Sequence, residues 1–276
     1  MSKTILITGA SSGIGKAAAL KFSAEGWNVI ATMRSPEKEQ ELTQFPNILV
    51  TKLDVQDTDS IRSAIAEGIA KFGQIDALVN NAGYGQNGIF EATSPQKVKE
   101  QFDVNVFGVM NVTRAILPHF RGQKSGLILN ISSGAGKFTL PLLSLYSASK
   151  FALEGFSEAL SFELSALNIG VKIIEPGGTS TNFIAVAQEQ FAYDPTLSDY
   201  NPFVAAAGKM FDTLKGQVLA TPQEVANVIY TAATDGTDTL RYVIGNEDFV
   251  KRLADRQHKP DQEYIQLVRQ AYQKFL

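Results

Sequence analysis

Short apolar runs alternate with longer stretches of helical periodicity from residue 4 to about residue 245. This alternation is typical of repeated βαβ units, and the strands are almost continuously apolar, as strands covered by helices on both faces must be. The pattern predicts an α/β fold with a doubly wound parallel sheet of about seven strands and helices on both faces. The predicted strands are residues 4–8, 28–33, 47–53, 76–80, 126–131, 171–175 and 241–245.

Two later segments depart from this alternation. Segment 177–221 is long, rich in aromatic residues and interrupted by Pro195 and Pro202. Because connections of that length in compact domains are usually lids or binding loops, we predict that it is a substrate loop or lid. The tail 246–276 places Ile265 and Val268 at helical spacing, which predicts a C-terminal helical extension of one domain, residues 1–276.

Composition narrows the class of partner. With 44% hydrophobic and 19% charged residues and a net charge of −3, the chain has no positive excess for nucleic acid or an anionic membrane. The absence of cysteine excludes disulfides, thiolate metal sites and a Cys nucleophile. The first apolar run breaks at Thr8 and Gly9, too early for a signal peptide or a membrane span. We expect a small-molecule partner, no metal and a cytoplasmic location.

The first predicted strand runs into a glycine-rich turn that opens a helix, with the pattern TGxxxGxG. Glycines there let backbone N–H groups approach a pyrophosphate, and the helix N-terminus adds a partial positive charge. A tight turn that needs glycine only for its conformation is the alternative. A triphosphatase loop is excluded because Ala10 and Ala17 replace its required Gly and Ser or Thr. The turn predicts dinucleotide contacts from Gly9, Ser11, Ser12, Gly13, Ile14 and Gly15.

The end of the second predicted strand bears on which dinucleotide binds. A fold that selects NAD places a carboxylate near this point, on the ribose 2′-hydroxyl. Here the strand ends at Met33 and Arg34 follows. A guanidinium can pair with a 2′-phosphate, so we expect NADP(H) to be preferred, with NAD(H) as the alternative. If Arg34 is only a solvated residue at the start of a polar loop, the preference stays open.

Further motifs follow the predicted strands in a fixed order. They are Asn-Asn-Ala-Gly at 80–83, Asn105, Ser-Ser at 132–133, Tyr146 four residues before Lys150, and Pro176-Gly177 followed by Thr181. In this combination, over about the first 245 residues, the chain resembles the short-chain dehydrogenase/reductase family, closest in pattern to its hydroxysteroid and retinol dehydrogenase branch. The resemblance implies a Rossmann-type fold and an NAD(P)-dependent enzyme that acts on CH–OH or C=O groups.

The residue types themselves support acid–base chemistry. Reduction of a carbonyl by hydride needs a proton donor beside the oxygen, and Tyr146 is the candidate. Lys150 lies one helical turn away, and its ammonium is expected to favour tyrosinate and so lower the pKa of Tyr146, helped by the charge of an oxidised nicotinamide. The resemblance implies that Lys150 also holds the nicotinamide ribose, that Ser133 orients the substrate oxygen, and that Asn105 supports a water linking Lys150 to solvent.

The remaining cofactor contacts also come from the resemblance. Asp54 is expected at the adenine ring, although it could equally be the N-cap of a helix beginning near Gln56. The family pattern further implies contacts from the loops after the fourth and sixth predicted strands: Asn81, Ala82, Gly83, Pro176, Gly177, Thr179 and Thr181.

Apolar side chains near the candidate site suggest an apolar carbonyl or alcohol substrate. They lie before Tyr146 and in segment 177–221, and burial against the protein body is the alternative: Phe138, Leu140, Leu142, Leu143, Phe183, Ile184, Phe191 and Tyr193. The helices carrying Asn105 and Tyr146 pair across a dimer interface in the family, so a homodimer or homotetramer is expected. The rival function is a non-catalytic dinucleotide-binding redox sensor.

Overall fold

The computed structural model describes residues 2–215 and 219–276, with only the backbone described at residues 184, 185, 214 and 215. Seven parallel strands form one sheet in the order β3-β2-β1-β4-β5-β6-β7. The predicted fold is therefore confirmed, and each predicted strand corresponds to an observed one within two residues. The strands are β1 Thr4–Ile7, β2 Asn28–Met33, β3 Ile48–Lys52, β4 Ala77–Asn80, β5 Gly126–Ile131, β6 Ile169–Pro176 and β7 Arg241–Ile244.

Helices fill most of the connections and the tail. They are α1 Gly13–Ala24, α2 Thr58–Phe72, α3 Pro95–Phe102, α4 Val109–Gln123, α5 Ser144–Ser165, α6 Asn182–Glu189, α7 Asn201–Lys215, α8 Pro222–Thr234, α9 Glu247–His258 and α10 Asp261–Gln273. Among the described residues, no helix combines the length and the apolar character needed to cross a membrane.

Alternating side chains of the strands bury two apolar layers, one on each face of the sheet. Ile5 and Ile7 pack with Phe22 of α1 on one face, where α8 also contributes. Leu6, between them in β1, packs on the other face with Ile61 of α2, alongside α4 and the end of α5. Covered on both faces, the central strands are almost fully buried, whereas β7 at the edge is only half-buried.

Segment 177–221 is more ordered than a loop. It contains α6, a short 3₁₀ turn at Ser198–Tyr200 and α7. Backbone hydrogen bonds anchor it at two places: the N–H of Ala192 donates to Asn87 O at 2.8 Å, and the N–H of Ala220 donates to Gly178 O at 3.0 Å. Whether the segment acts as a lid stays a prediction.

The carboxyl ends of the parallel strands meet at one edge of the sheet, which is where ligands bind in open α/β sheets. The order reverses between β1 and β4, so the turns after these two strands flank the crevice. All the motifs that the sequence singled out lie in turns or helix starts along this edge, and the fold thus brings them together.

Candidate active site

The turn after β1 leaves no room for side chains. Gly9 and Gly13 have φ values of +67° and +55°, which favour glycine. A Cβ on Gly15 would lie 2.3 Å from Gly9 O and 2.5 Å from the Asn81 side-chain nitrogen. With the start of α1 directly behind it, this closely packed turn fits the phosphates of a dinucleotide.

Thr8 fastens the turn after β4 to the glycine turn. Its hydroxyl accepts hydrogen bonds from the backbone N–H groups of Asn81 and Ala82 at 3.0 and 3.1 Å. The side chain of Asn81 returns the connection by donating to Thr8 O at 2.9 Å and Gly9 O at 3.1 Å. These hydrogen bonds hold the two turns together. Gly83, at the end of the second turn, lies close to Asn105, whose side-chain oxygen would be 3.2 Å from a Cβ on Gly83.

Asn105 lies in a π-helical turn, Asp103–Gly108, between α3 and α4. Such turns are rare and often occur at functional sites. Its side chain is 1% exposed, accepts from Tyr84 N at 3.0 Å, and donates to Tyr84 O at 2.8 Å and Ser149 Oγ at 3.2 Å. Ser149 Oγ in turn donates to Tyr146 O at 2.7 Å. Asn105 therefore joins the turn after β4 to the start of α5.

A buried glutamine that no motif marked completes this network. Gln101 accepts from Gln86 N at 2.6 Å and donates to Tyr84 O at 3.0 Å. It lies one helical turn before Asn105, and that spacing is the only signal in the sequence that points to it.

Tyr146, Lys150 and Ser133 come together where α5 begins beside the end of β5. The Ser133 side chain lies close enough to Tyr146 to lower its pKa. Lys150 is buried, its ammonium lies 5.8 Å from the centre of the Tyr146 ring, and it donates to Ile131 O at 2.8 Å.

The pKa values of this pair depart from the sequence-based expectation. Burial raises the pKa of Tyr146 to about 12, against the hydrogen bond with Ser133, which lowers it. Burial also lowers the pKa of Lys150 to about 8, against Glu154, which raises it. The expected lowering of the Tyr146 pKa by Lys150 is therefore wrong for the protein groups alone: burial decides the direction of the shift, and the ammonium donates to a backbone carbonyl.

The turn after β6 closes the site from the other side. Pro176 ends β6, and the N–H of Gly177 donates to Ile244 O at 2.7 Å. Thr179 is buried and donates to Gly177 O at 3.2 Å. Thr181 caps α6 by accepting from Phe183 N, and its methyl group would lie 3.3 Å from a Cβ on Gly13. The turns after β1 and β6 therefore face each other across the crevice.

The two residues predicted at the adenosine end, Arg34 and Asp54, have different surroundings in the structure. Arg34 is exposed and takes part in no ion pair within the described part of the chain. Asp54 follows β3 and accepts from Gln56 N at 3.0 Å. The alternative that Asp54 caps a helix near Gln56 is wrong, because α2 begins at Thr58 and its N-cap is Asp57, which accepts from the N–H groups at 59 and 60.

Two glutamates near the glycine turn were not predicted. Lys16, directly after Gly15, forms ion pairs with Glu39 at 3.2 Å and Glu41 at 2.9 Å. The two carboxylates outnumber the one ammonium, so this cluster is net negative and a 2′-phosphate here would depend on Arg34 for a favourable charge.

The apolar residues before Tyr146 divide into two groups. Phe138 and Leu140 pack against the C-terminal tail, so for these two the burial alternative applies. Leu142 instead lines an open cavity of about 430 Å³ between the turn at 88–91 and Phe203 of α7. Phe183 of α6 lies with its ring 5.4 Å from that of Tyr146. The side chain of Ile184 lies outside the described residues.

With this geometry in place, comparison with known proteins identifies the family. The sequence profile of the short chain dehydrogenases matches residues 3–191. The chain belongs to the short-chain dehydrogenase family. The oxidoreductase YusZ of Bacillus subtilis, described as uncharacterized, is 39% identical over 88% of this chain and 89% of its own length. Retinol dehydrogenase 8 of Bos taurus is 33% identical over 87% of this chain and 80% of its own length.

Solved short-chain dehydrogenases share the fold. One from Streptomyces avermitilis matches with a TM-score of 0.79 at 33% identity, covering 99% of this chain and 97% of that one. Serine dehydrogenase complexed with NADP⁺ matches with a TM-score of 0.74 at 30% identity, covering 87% and 94%. The 3-ketoacyl-(acyl-carrier-protein) reductase of Brucella melitensis complexed with NADH matches at 0.75 and 25%, covering 89% and 97%. This short-chain dehydrogenase is accordingly an NAD(P)-dependent oxidoreductase.

Proposed function

We propose that this short-chain dehydrogenase transfers a hydride between NADP(H) and the carbonyl or hydroxyl carbon of an apolar substrate, with Tyr146 as the general acid or base. The observation that carries the proposal is the convergence of Tyr146, Ser133 and Lys150 at the sheet edge where the glycine turn also lies. These groups are a hydroxyl donor, a second hydroxyl beside it and a buried cation. Together they suit a site where negative charge develops on oxygen.

The cofactor fits the crevice between the turns after β1 and β6. The glycine turn and the start of α1 would hold the pyrophosphate, the loops after β3 and β4 would contact the adenosine, and Thr179 and Thr181 would face the nicotinamide. Arg34 supports a preference for NADP(H), since it presents an exposed guanidinium free of ion pairs with the residues described. When bound, the nicotinamide supplies or accepts the hydride.

The protein groups hold a proton ready for carbonyl reduction. With a pKa of about 12, Tyr146 is protonated at neutral pH and holds the proton that a reduced carbonyl oxygen needs. Ser133 would donate to the same oxygen and orient it, while the positive charge of the oxidised nicotinamide would stabilise the tyrosinate left behind. Asn105 would act indirectly, because its hydrogen bond to Ser149 holds the start of α5, where Tyr146 lies.

The surroundings of Tyr146 support an apolar substrate. The ring of Phe183 lies at a tilt beside that of Tyr146. The open cavity is lined by Ser144, which is in the same first turn of α5 as Tyr146. Ile89, Phe90, Leu142 and Phe203 give that cavity apolar walls, with Glu91 and Tyr200 at its rim joined by a hydrogen bond of 3.0 Å. A ketone or aldehyde with a hydrocarbon body suits such walls.

Turnover of a substrate panel tests the proposal. Purified protein with NADPH is assayed by loss of the reduced-nicotinamide absorbance against aliphatic, aromatic and steroid-like ketones and aldehydes, and with NADP⁺ against the matching alcohols. Tyr146→Phe should reduce turnover at least about a hundredfold while cofactor binding stays nearly unchanged, because only the hydroxyl is lost. Saturable cofactor binding without turnover of any compound would favour the redox sensor instead, and near-normal turnover by Tyr146→Phe would remove the acid from the mechanism.

A further inference from the structure

An aromatic ring from the C-terminal tail fills a space made by three glycines. Phe249 lies in the first turn of α9 and is 9% exposed. A Cβ on Gly134 would lie 2.2 Å from its ring, a Cβ on Gly245 also 2.2 Å, and a Cβ on Gly177 2.9 Å. None of these gaps would admit a methyl group, so the ring occupies the volume where the three side chains would be.

The backbone conformation does not explain these glycines. None of the three has a φ in the left-handed region, unlike Gly9 or Gly13 in the cofactor turn. An alanine could adopt the same φ and ψ at each position. The close approach of the Phe249 ring is therefore the reason why a side chain is excluded there.

Two of these glycines belong to the candidate active site. Gly134 directly follows Ser133, and Gly177 directly follows Pro176 at the end of β6. The ring is itself held in place, because the side chain of Asn246 caps α9 by accepting from Phe249 N at 2.9 Å. It also packs edge-on against Phe138, with ring centres 5.9 Å apart. One rigid group from the tail thus contacts the turns after both β5 and β6.

The geometry points to Phe249 as a positioning residue for the proposed reaction: it sets the place of Ser133 against Tyr146 and of the Gly177 turn against the nicotinamide site. The inference rests on the proposed function and extends it to the tail. Because a displacement on the order of 1 Å can cost a hundredfold in rate, losing the ring should impair turnover although Phe249 touches no reacting atom. The tail is then part of the catalytic unit.

The tail offers a matched control. Tyr264 of α10 is 3% exposed and belongs to the same apolar cluster as Phe249 and Phe138. The atoms nearest to a Cβ on Gly134, Gly177 or Gly245 belong to Phe249 and Phe138, not to Tyr264. Tyr264→Leu should therefore loosen the tail without moving Ser133, and any effect common to both variants measures tail stability alone.

The first experiment compares Phe249→Ala with Tyr264→Leu in the full-length protein. Phe249→Ala should lower kcat at least about tenfold with the KM for NADPH changed less than about threefold, since the atoms nearest Gly9, Gly13 and Gly15 in the glycine turn are not from Phe249. Tyr264→Leu should keep kcat within about twofold of the wild-type value. Both variants should lower the melting temperature, and by similar amounts. Equal losses of kcat in both variants, or none in either, would overturn the proposal.

A second experiment measures the contact itself and remains informative if Phe249→Ala fails to fold. Gly134→Ala is made alone and together with Phe249→Leu, which is smaller and still apolar. Alone, the new methyl group collides with the ring and should lower kcat; with Leu at 249 the loss should shrink at least about fivefold. Equal losses in both backgrounds would show that the ring does not position this turn.

These experiments separate the two hypotheses. An active wild type with an unimpaired Phe249→Ala variant refutes the positioning role and leaves the proposed function intact. A wild type that turns over no carbonyl or alcohol, with cofactor bound, refutes both.

Discussion

At the scale of single residues, Arg34 and Met33 both bear on the choice of cofactor. Arg34 does so through its charge, and Met33 through its burial. The side chain of Met33 is 3% exposed and packs in the core, so the end of β2 presents no carboxylate to a ribose. Arg34 is exposed, and neighbouring Lys16 is held by Glu39 and Glu41. Selectivity at this end of the site therefore depends on Arg34.

Substitution at position 34 should change cofactor preference selectively. Arg34→Ala should lower kcat/KM for NADPH by about ten- to a hundredfold and leave NADH use nearly unchanged, because a charge-assisted hydrogen bond is worth about 1.5 to 3 kcal/mol. Arg34→Asp should go further and favour NADH, since it adds repulsion toward the 2′-phosphate. Arg121→Ala, an exposed arginine in the last turn of α4, is the matched control. A wild type that prefers NADH tenfold would show that Arg34 is only solvated.

At the scale of elements, the strands and the motif turns could be predicted from the sequence because each depends on a local pattern of residues. β2 and β5 were predicted at their observed bounds, since an apolar run between polar turns marks a buried strand. α6 and α7 were not, because Pro195 and scattered aromatic residues obscure the helical period in that segment. For Phe138 the sequence left pocket lining and burial as alternatives, because its partner, Phe249, is more than a hundred residues away and no local pattern indicates such a contact.

The same segment gives a prediction about motion. α6 is bounded by its two backbone anchors, and Thr181 and Phe183 at its start face Gly13 and Tyr146. Bound cofactor would fill the crevice beneath this start and hold it. Amide hydrogen exchange of peptides covering α6 should therefore slow on saturation with NADPH, while peptides from α8, which is packed in the apolar core against α1, should not change. Equal protection of α6 in both states would refute the lid hypothesis.

At the scale of the whole molecule, a buried carboxyl couples folding to pH. Glu175 is 2% exposed, and Arg241 Nε lies 3.2 Å from it and 3.1 Å from Glu154. Burial, and then Glu154, raise the pKa of Glu175 to about 7, against the opposing charges of Lys137 and Arg241. The sequence did not reveal this pair, because the two glutamates lie on different elements and meet only after folding.

The raised pKa fixes the sign of the effect. In the unfolded chain Glu175 loses its proton above its ordinary pKa of 4.5, whereas in the folded chain it keeps the proton up to about pH 7. The free energy of unfolding therefore falls as the pH rises from 4.5 to about 7. Glu175→Gln should remove that loss and raise stability at pH 8 by about 1 to 3 kcal/mol, with little change at pH 4.5. Urea unfolding at both pH values measures it. Glu158→Gln should not stabilise, because Arg241 lowers the pKa of exposed Glu158.

One face of α5 predicts how copies of the chain assemble. Phe151 and Phe162 are 42% and 71% exposed, stand eleven residues apart and so lie on the same side of the helix, with Gly155 open between them. Phe107, 52% exposed, lies in the π-helical turn that packs beside this helix. Exposed phenylalanines on both sides of an open glycine suit a self-complementary contact across a two-fold axis, so a homodimer or homotetramer should dissociate when Phe162→Glu places charges there. Light scattering after size exclusion should show a smaller particle for Phe162→Glu and an unchanged one for Val250→Glu, a 49% exposed position on α9. A wild type that is monomeric at micromolar concentration would contradict the prediction.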